Sequence, residues 1–375
     1  MKMQTKTLSV RVKDKHAKIL RQMAFEVNQV FNHANELTMK ANRNYSEVGA
    51  VKPVWLSAFD IQKMTSGIQK ERGFLIGSVT VQEIIAIHAK ARKQFKRSKL
   101  RWRVSSGSKR SLGFVPFKSQ AAKWRNGQVR FAGHNFSVWD CYGLSEYKFR
   151  AGSFSEDARG RWYFNICVQV PIQDPTSGKS VIGVDLGLKD TATCSDGTRL
   201  ERGNFYRDME SALGLAQRAN KKKRVKAIHA KIKNRRKDAL HKFSTQLVNN
   251  HAAIIVGDVS SAKLVKTKMA KSVLDAGWHM LKTQLEYKAI ARSVVFEVVN
   301  ESYSTQTCSS CGVIPSSSPK GRANLGIREW TCSECGAEHD RDTNAAMNIL
   351  AAGLCRLEGG IPLLNSKGKR SFQIC

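Results

Sequence analysis

The sequence predicts a multidomain protein with an α+β N-terminal half and an α/β C-terminal half. After residue 180, apolar strand-like runs alternate with long helical patterns, which indicates a central sheet covered by helices. Before residue 172, a helical segment is followed by short aromatic and β-branched runs typical of a small antiparallel sheet. Two Cys-x-x-Cys pairs near the C-terminus add a metal-binding loop.

The net charge of the chain limits the classes of partner that it can have. The chain has 375 residues, and 63 Lys and Arg stand against 30 Asp and Glu, a formal net charge of +33. Such an excess is unfavourable unless a polyanion neutralises it. Nucleic acid is the expected partner, since Lys and Arg release counterions from phosphates. An anionic membrane surface is the rival, but no apolar run reaches about 18 residues and no signal-peptide core is present. We therefore expect a soluble, intracellular protein.

The N-terminal half begins with a strand and continues with helices. Thr7–Val12 alternates apolar and polar residues, and the pattern from His16 to Lys99 is mainly helical. Ser105–Pro171 reads as short strands cut by Gly and Asn, a small antiparallel sheet or barrel. With the first strand it would form one domain, and the helical segment would be inserted between its strands. Ile172–Ser180 is the predicted linker.

Two basic segments are candidate nucleic-acid contacts. Lys90–Arg110 has ten Lys and Arg, no acid, and the aromatic residues Phe95 and Trp102. Lys221–Lys242 has eleven Lys and Arg and the single acid Asp238. A solvated helix face is the alternative for both, but the unopposed charge favours phosphate contacts. The predicted contacts are Lys93, Lys96, Arg97, Arg101, Arg103, Lys222, Arg224, Arg235 and Arg236.

The C-terminal half is predicted as alternating strands and helices. The order is a strand, turn and returning strand in Val181–Gly197, a long helix over Phe205–Asn250, a strand in "AAIIVGDV", one helix in "SVLDAGWHMLKTQLEYKAIA", and a strand in "SVVFEVVNESY".

Acidic residues follow these strands. Asp185 and Asp258 each end an apolar run, and Glu297 and Glu301 share one face of the last strand. Asp342 stands at the start of a helix, where an N-cap is the simpler interpretation; Asp185 could likewise begin a turn. Together, however, these acids in a basic α/β protein suggest a site for two Mg²⁺ ions about 3.5–4 Å apart that would act on a phosphodiester.

Cys308, Cys311, Cys332 and Cys335 form the two Cys-x-x-Cys pairs, and each pair is followed by Gly. Their thiolates predict a closed, structural zinc site; reduced, unligated cysteines are the alternative. His339 is interpreted as a neighbour of the acids, because four sulfurs saturate zinc. Zinc binding would supply folding energy to the insertion and bring Glu301 and Asp342 to one site.

Four stretches, "IGVDLG", "TQTCSSCG", "CSECGAEHDRDTNAAMNIL" and "KSVLDAGWHMLKTQLEYKA", resemble the TnpB proteins of bacterial insertion sequences, which are relatives of the type V CRISPR effectors. The resemblance implies a split RuvC-like nuclease domain of RNase H-type fold, a zinc ribbon, and a β-barrel wedge with an inserted helical recognition lobe. The corresponding division is wedge 1–14 and 105–171, recognition lobe 15–104, linker 172–180, nuclease 181–303 and 340–358, ribbon 304–339, and basic flexible tail 359–375.

The resemblance also implies an activity. A guide RNA made from the transposon end would direct Mg²⁺-dependent cleavage of double-stranded target DNA beside a short flanking motif. We expect a bacterial, cytoplasmic, nucleoid-associated protein with one chain per RNA, although the sequence does not fix the oligomeric state. An RNA-guided, repressor-like DNA binder without cleavage, and a DNA-joining transposase, are the alternative functions.

Residue by residue, Asp185 matches the first RuvC aspartate and Asp342 the last. The middle acid departs from the family pattern, which has a Glu in a "VxEDL"-like run where this chain has "IVGDVSS" with Asp258. The chain resembles a subgroup that has moved this glutamate to a later strand. Glu301 is therefore the preferred middle ligand, and Asp258 is the alternative or an additional ligand.

Overall fold

The computed structural model describes residues 2–47, 55–97, 99–173, 180–321 and 323–357. These residues form two compact units, an N-terminal unit of Met3–Val170 and a C-terminal unit that starts at Pro171 and includes Lys2. Most of the predicted linker, residues 174–179, and the predicted tail, residues 359–375, lie outside the described residues. Within the described ranges, no helix is both long and apolar enough to cross a membrane.

The N-terminal unit combines helices and antiparallel strands. Its helices are α1 (Ala17–Glu47), α2 (Ala58–Met64), α3 (Ile68–Glu71) and α4 (Ser78–Phe95). Its strands are β1 (Met3–Val12), β2 (Phe114–Phe117), β3 (Ala122–Arg125), β4 (Gln128–Phe131), β5 (His134–Phe136), β6 (Val138–Trp139), β7 (Gly152–Glu156) and β8 (Trp162–Pro171).

These strands form a five-stranded sheet in the order β2-β7-β8-β1-β6 and a three-stranded sheet, β3-β4-β5. The N-terminal strand β1 joins the later strands, as the sequence predicts. One hydrophobic core runs from the helices into the strands, with Val27, Ile84, Phe154 and Phe164 fully buried. The separation into a barrel and a helical lobe stays a prediction.

The C-terminal unit is an α/β layer with a small insertion. Its strands are β9 (Ser180–Asp185), β10 (Asp190–Cys194), β11 (Arg199–Glu201), β12 (His251–Gly257), β13 (Val295–Val299), β14 (Glu329–Thr331) and β15 (Glu338–Asp340). Its helices are α5 (Arg207–Arg218), α6 (Lys222–Asn250), α7 (Ser261–Leu264), α8 (Ala270–Ala276), α9 (Trp278–Ala291) and α10 (Arg341–Leu357).

The central sheet has the order β11-β10-β9-β12-β13. Strand β9 is antiparallel to β10, whereas β9, β12 and β13 run parallel to one another. Strands β14 and β15 form a separate antiparallel ladder. Because parallel strands end at the same edge, residues that follow β9, β12 and β13 come together there.

Two predicted helices are each broken in the structure, and the sequence prediction is wrong at these points. Phe205–Asn250 divides into α5 and α6, and Asn220 between them has a positive φ of 50°. "SVLDAGWHMLKTQLEYKAIA" divides into α8 and α9 at Gly277, whose φ is 70°. A left-handed residue ends a helix because the right-handed hydrogen-bond pattern cannot pass through it.

Helix α10 packs directly on the central sheet. A Cβ on Gly183 of β9 would lie 2.2 Å from the carbonyl oxygen of Ala346 and 2.8 Å from the Cβ of Leu350. Only glycine allows this approach, since those distances are shorter than van der Waals contact. The close crossing holds the start of α10 beside the end of β9.

Candidate functional site

Three carboxylates converge at the edge where the parallel strands end. Asp185 is the last residue of β9, Glu301 follows β13, and Asp342 lies in the first turn of α10. The charges of Asp342 and Glu301 both act on the carboxyl of Asp185. The structure therefore brings together three of the four acids predicted from the sequence as catalytic, and the fourth, Asp258, lies next to Glu301.

Asp185 is the carboxyl with the strongest electrostatic strain. Burial, and after it repulsion from Asp342 and Glu301, raise its pKa to about 7. Arg341 and a backbone hydrogen bond from Leu186 act in the opposite direction. Arg341 and Leu186 thus compensate the negative charge of Asp185 only in part.

Glu301 lies over the end of the neighbouring strand β12. A Cβ on Gly257 would be 2.7 Å from Oε2 of Glu301 and 3.3 Å from its Cβ, so the absence of a side chain at 257 makes room for the glutamate. Burial raises the pKa of Glu301, Lys282 lowers it, and Asp258 raises it further. Glu301 thus has the burial and the neighbouring acids of a site residue.

Asp258 has a different environment. Its side chain is 69% exposed, and its Oδ1 lies 3.7 Å from Nζ of Lys282. Its backbone N–H donates to the carbonyl of Val299 at 2.8 Å, which ties the end of β12 to β13. Glu297, on β13 itself, pairs with Arg356 at 3.8 Å.

Asp342 is buried and already paired. Nη1 of Arg328 donates to its Oδ1 at 2.9 Å and to its Oδ2 at 2.6 Å. Arg341 donates from Nε at 3.1 Å and from Nη2 at 3.0 Å to Oδ1. The N-cap interpretation of Asp342 is wrong, because Asp340 accepts the capping bonds from the backbone N–H and the hydroxyl of Thr343.

The four cysteines form a metal-type cluster. Their sulfurs all lie within 4.8 Å of one another, with 3.7 Å between Cys308 and Cys335 and 3.8 Å between Cys311 and Cys332. The distances and the soft donors fit one tetrahedral Zn²⁺. No other group of three or more His, Cys, Asp or Glu in the described ranges has ligand atoms that close together. The carboxylates therefore approach one another more loosely than the sulfurs do.

Each Cys-x-x-Cys pair forms the same kind of turn. The N–H of Gly312 donates to the carbonyl of Cys308 at 2.8 Å, and Gly336 donates to Cys332 at 2.9 Å. His339 corrects the sequence interpretation, since its Nε2 lies 3.0 Å from Sγ of Cys308 and it therefore neighbours the sulfurs. Burial opposes ionisation of the Cys308 thiol, but hydrogen bonds from the backbone and from His339 outweigh it and lower the pKa to about 6.

Asparagines on α10 bind the chain where it enters the cysteine insertion. Nδ2 of Asn344 donates to the carbonyl of Thr307 at 2.8 Å, and its Oδ1 accepts from the N–H of Ser309 at 2.9 Å. Asn348, one turn later, donates to Ser304 at 2.8 Å and to Thr307 at 2.7 Å. The helix that carries Asp342 thus also fixes the segment between Glu301 and the first cysteine.

In the N-terminal unit, asparagines of α1 bind part of the first basic segment. Asn35 exchanges two hydrogen bonds with the backbone of Leu100, and Asn32 exchanges two with Arg103. The guanidinium of Arg103 lies 3.9 Å from the ring centroid of Phe31, so this predicted nucleic-acid contact packs against α1. The other predicted contacts of this segment are exposed: Lys93, Lys96, Arg97 and Arg101.

The basic helix α6 divides in the same way. Arg235 pairs with Asp208 at 3.6 Å, and Nη1 of Arg236 donates to the carbonyl of Leu274. Lys222 and Arg224 are exposed. The apolar residues predicted for the other face, including Ile228, Ile232 and Leu247, are buried.

Sequence reasoning missed the cations and the glycine of the acid site. Lys282, Arg328 and Arg341 contact or influence the acids, and Gly257 leaves the space that Glu301 fills. A signal existed only for Arg341, which stands between two aspartates. Lys282 and Arg328 reach the acids from other elements, which sequence spacing does not reveal.

Fold and site define a mixed α/β protein whose central sheet gathers carboxylates at one edge and whose last helix follows a four-cysteine insertion. Two families match it: residues 165–268 match the family described as "Probable transposase" (OrfB_IS605), and residues 278–349 match "Cas12f1-like, TNB domain". A "Putative RNA-guided DNA endonuclease" of Streptomyces pristinaespiralis is 31% identical over 76% of this chain and 74% of its own length.

The matches to other relatives cover smaller shares of both chains. A "Putative RNA-guided DNA endonuclease InsQ" of Escherichia coli K12 is 29% identical over 52% of this chain. The match covers 54% of the InsQ sequence. A TnpB-like protein of Acanthamoeba polyphaga mimivirus, L79, is 28% identical over 35% of the chain and 25% of its own length. The chain belongs to the TnpB family.

Solved structures agree with the fold. A cryo-EM structure of a Cas12f1–sgRNA–target DNA complex contains a chain that matches with a TM-score of 0.57 at 12% identity, over 92% of this chain and 98% of that one. At this identity the likeness concerns the fold alone.

Proposed function

We propose that the chain is an RNA-guided DNA endonuclease of an insertion sequence, which cuts target DNA beside a short flanking motif. The observation that carries the proposal is the meeting of Asp185, Glu301 and Asp342 at one edge of the sheet. Membership of the TnpB family and the names of the relatives support it. The guide RNA would come from the transposon end, and the protein would act in the bacterial cytoplasm at the nucleoid.

We further propose that the central sheet is a RuvC-like core of RNase H type, interrupted by a zinc ribbon. Three antiparallel strands followed by two parallel ones support this assignment. In the N-terminal unit, we propose that the two sheets form the wedge and that α1–α4 form the recognition lobe. The Cys308, Cys311, Cys332 and Cys335 sulfurs would bind one structural Zn²⁺.

The acid site fits divalent cations. Its donors are carboxylate oxygens, which Mg²⁺ prefers. Burial raises the pKa of both Asp185 and Glu301, and neighbouring acids raise it further. A bound cation would therefore stabilise the ionised form of both carboxylates. Asp185, Glu301 and Asp342 would hold two Mg²⁺, which when bound supply an activated water and neutralise charge on the leaving oxygen.

Glu301 is the middle ligand in this proposal. Its half-buried side chain lies over Gly257, whereas the side chain of Asp258 is 69% exposed beside Lys282. Lys282 also donates toward the carbonyls of Gly257 and Val259, at 3.5 and 3.3 Å. Lys282 therefore fixes the turn after β12, and Asp258 contributes at most charge to the site.

Exposed Lys and Arg side chains would bind the phosphates of the guide RNA and the target DNA. We propose this role for Lys93, Lys96, Arg97 and Arg101 of the first basic segment and for Lys222 and Arg224 of α6. Arg103, Arg235 and Arg236 already have protein partners and would act by supporting their segments.

The test uses the protein purified with its co-expressed RNA. A duplex that matches the guide, with the flanking motif, is incubated with Mg²⁺ and wild type or Asp185→Ala. We expect cleavage by wild type and none by the variant, with equal RNA content. Equal cleavage by both would remove the proposed site. Tight binding by wild type without any cleavage would favour the repressor-like alternative.

A further inference from the structure

The two oxygens of Asp342 are already used by arginine. Arg328 donates to both of them, at 2.9 and 2.6 Å, and Arg341 donates twice to Oδ1. Charge-assisted bonds of this kind are among the stronger ones in proteins. A metal ion that uses Asp342 must therefore compete with the guanidinium of Arg328, which faces both oxygens of the carboxylate.

Arg328 belongs to the cysteine insertion, whereas Arg341 belongs to α10. The carbonyl of Arg328 accepts from the N–H of Arg341 at 2.6 Å, next to the pair of Glu329 and Asp340 in the β14–β15 ladder. This backbone contact places the Arg328 side chain opposite Asp342. The side chain is 32% exposed against 12% for Asp342. Arg328 can thus leave the carboxylate toward solvent without opening a core.

The charges around the two aspartates are unequal. Asp342 has two guanidinium partners, while Asp185 has no ion pair within 4.0 Å in the described part of the chain and is repelled by both neighbouring acids. A dication shared by Asp185 and Asp342 would remove the repulsion that Asp185 experiences. With the dication in place, Asp342 would have more positive charge around it than one carboxylate can balance. One of its two guanidinium partners would then no longer be needed.

We propose that Arg328 is a gate residue of the acid site: its guanidinium binds both oxygens of Asp342 and must leave before a divalent cation can bind there. The cysteine insertion thereby controls metal access through one side chain. Arg341 stays beside Asp342 as a fixed neighbour in the same helix turn. This inference rests on the proposed function, because it takes Asp342 as a metal ligand.

The test measures Mn²⁺ binding directly. The RNA-bound full chain is titrated with Mn²⁺, and free Mn²⁺ is followed by its electron paramagnetic resonance signal. Wild type is compared with Arg328→Gln, with Asp185→Asn, and with Arg199→Gln as matched control. Arg199 also pairs with an aspartate near the start of α10, but with Asp340 at 3.3 Å and not with Asp342. Zinc content is measured for every variant.

We expect Arg328→Gln to bind Mn²⁺ at least about tenfold more tightly than wild type, the factor that loss of one charge-assisted competitor implies. Arg199→Gln should match wild type, and Asp185→Asn should lose the site. If Arg328→Gln binds Mn²⁺ no more tightly than wild type while Asp185→Asn loses binding, the gate is overturned but the metal site stands. Unchanged binding by Asp185→Asn would instead overturn the proposed metal site.

A second variant covers the case in which Arg328→Gln loses zinc. Arg328→Lys keeps one charge but cannot donate in the geometry of a guanidinium. We expect its Mn²⁺ affinity to lie between those of wild type and Arg328→Gln, or above wild type if only the Lys variant folds. An affinity equal to that of wild type would contradict the gate.

Discussion

The cysteine cluster and the carboxylate site lie at opposite ends of one small region, the β14–β15 ladder and the start of α10, yet they are built differently. The four sulfurs are within 4.8 Å of one another and need only an ion. The carboxylates come from three separate elements, and one of them is held by arginines. A structural site can be preformed and closed, whereas a site that must exchange metal and substrate needs a ligand that can be released.

The largest expected effect separates the two candidates for the middle acid. Glu301→Gln keeps the volume and removes the charge, so loss of one metal ligand should cost several kcal/mol of transition-state stabilisation, about a thousandfold in rate. Asp258→Asn is the matched control and should cut within a few-fold of wild type. Single-turnover cleavage of the matched duplex gives both rates. Normal cutting by Glu301→Gln with a dead Asp258→Asn would reverse the assignment.

Zinc removal tests whether the sulfur site supports the oxygen site. Cys332→Ser should reduce zinc to well under one per chain, since four thiolates are needed for a closed site. Because α10 and the insertion share hydrogen bonds through Asn344 and Asn348, we expect cleavage to fall about a hundredfold. Cys355→Ser, on the same helix but outside the cluster, should retain zinc and activity. Full activity without zinc would show that the two sites are independent.

Acidity offers a subtler test of the carboxylate site. The pKa of Asp185 rises from 3.8 to about 7 in the fold because of burial and repulsion, so the native state holds this proton more tightly than the unfolded state. Without Mg²⁺, the protein should therefore lose this contribution to its stability as pH rises from about 4 to 7. Asp185→Asn should raise the melting temperature by a few degrees at pH 8 in buffer without Mg²⁺, about 2–4 °C for each kcal/mol.

At pH below 4, the same variant should melt at the wild-type temperature, because Asp185 is then protonated in both states. Differential scanning calorimetry at the two pH values checks the sign. A lower melting temperature for Asp185→Asn at pH 8 would mean that the aspartate charge is compensated in the native protein. Such a result would remove the electrostatic argument for a cation at this site.

The smallest effect concerns α6. Lys222→Gln with Arg224→Gln should reduce the slope of log affinity against log salt by about 2, roughly one for each phosphate that is no longer neutralised. Lys242→Gln is the control, because Lys242 pairs with Asp238 at 2.8 Å within the helix. An unchanged slope in the double variant would make α6 an ordinary solvated helix.

Local patterns in the sequence predicted the local parts of the site. The Cys-x-x-Cys turns, the aspartate after β9 and the aspartate at the start of α10 each depend on a few neighbouring residues, and the structure brings them to the expected elements. The break at Gly277 was missed because apolar residues continue at helical spacing on both sides of it, and the break at Asn220 was missed because the basic run that follows is compatible with a helix. The 3.6-residue spacing of apolar side chains does not reveal a single residue with left-handed backbone conformation.

Residues whose role depends on distant elements could not be predicted. The family resemblance already favoured Glu301 over Asp258, but the room that Gly257 leaves for the Glu301 side chain is visible only in the structure. Arg328 meets Asp342 across a strand ladder, with two cysteines between them in sequence. Arg103 turns inward because asparagines of α1 bind its backbone. In each case the contact is set by packing between elements, which charge and spacing do not encode.

The most direct measurement is the crystal structure of the RNA-bound protein soaked in Mn²⁺, with anomalous difference density recorded at the manganese edge. Manganese peaks bound by Asp185, Glu301 and Asp342, with Arg328 moved off Asp342, are the predicted result. Full occupancy of the zinc site with no manganese at these carboxylates, or manganese held by Asp258 in place of Glu301, would contradict the account.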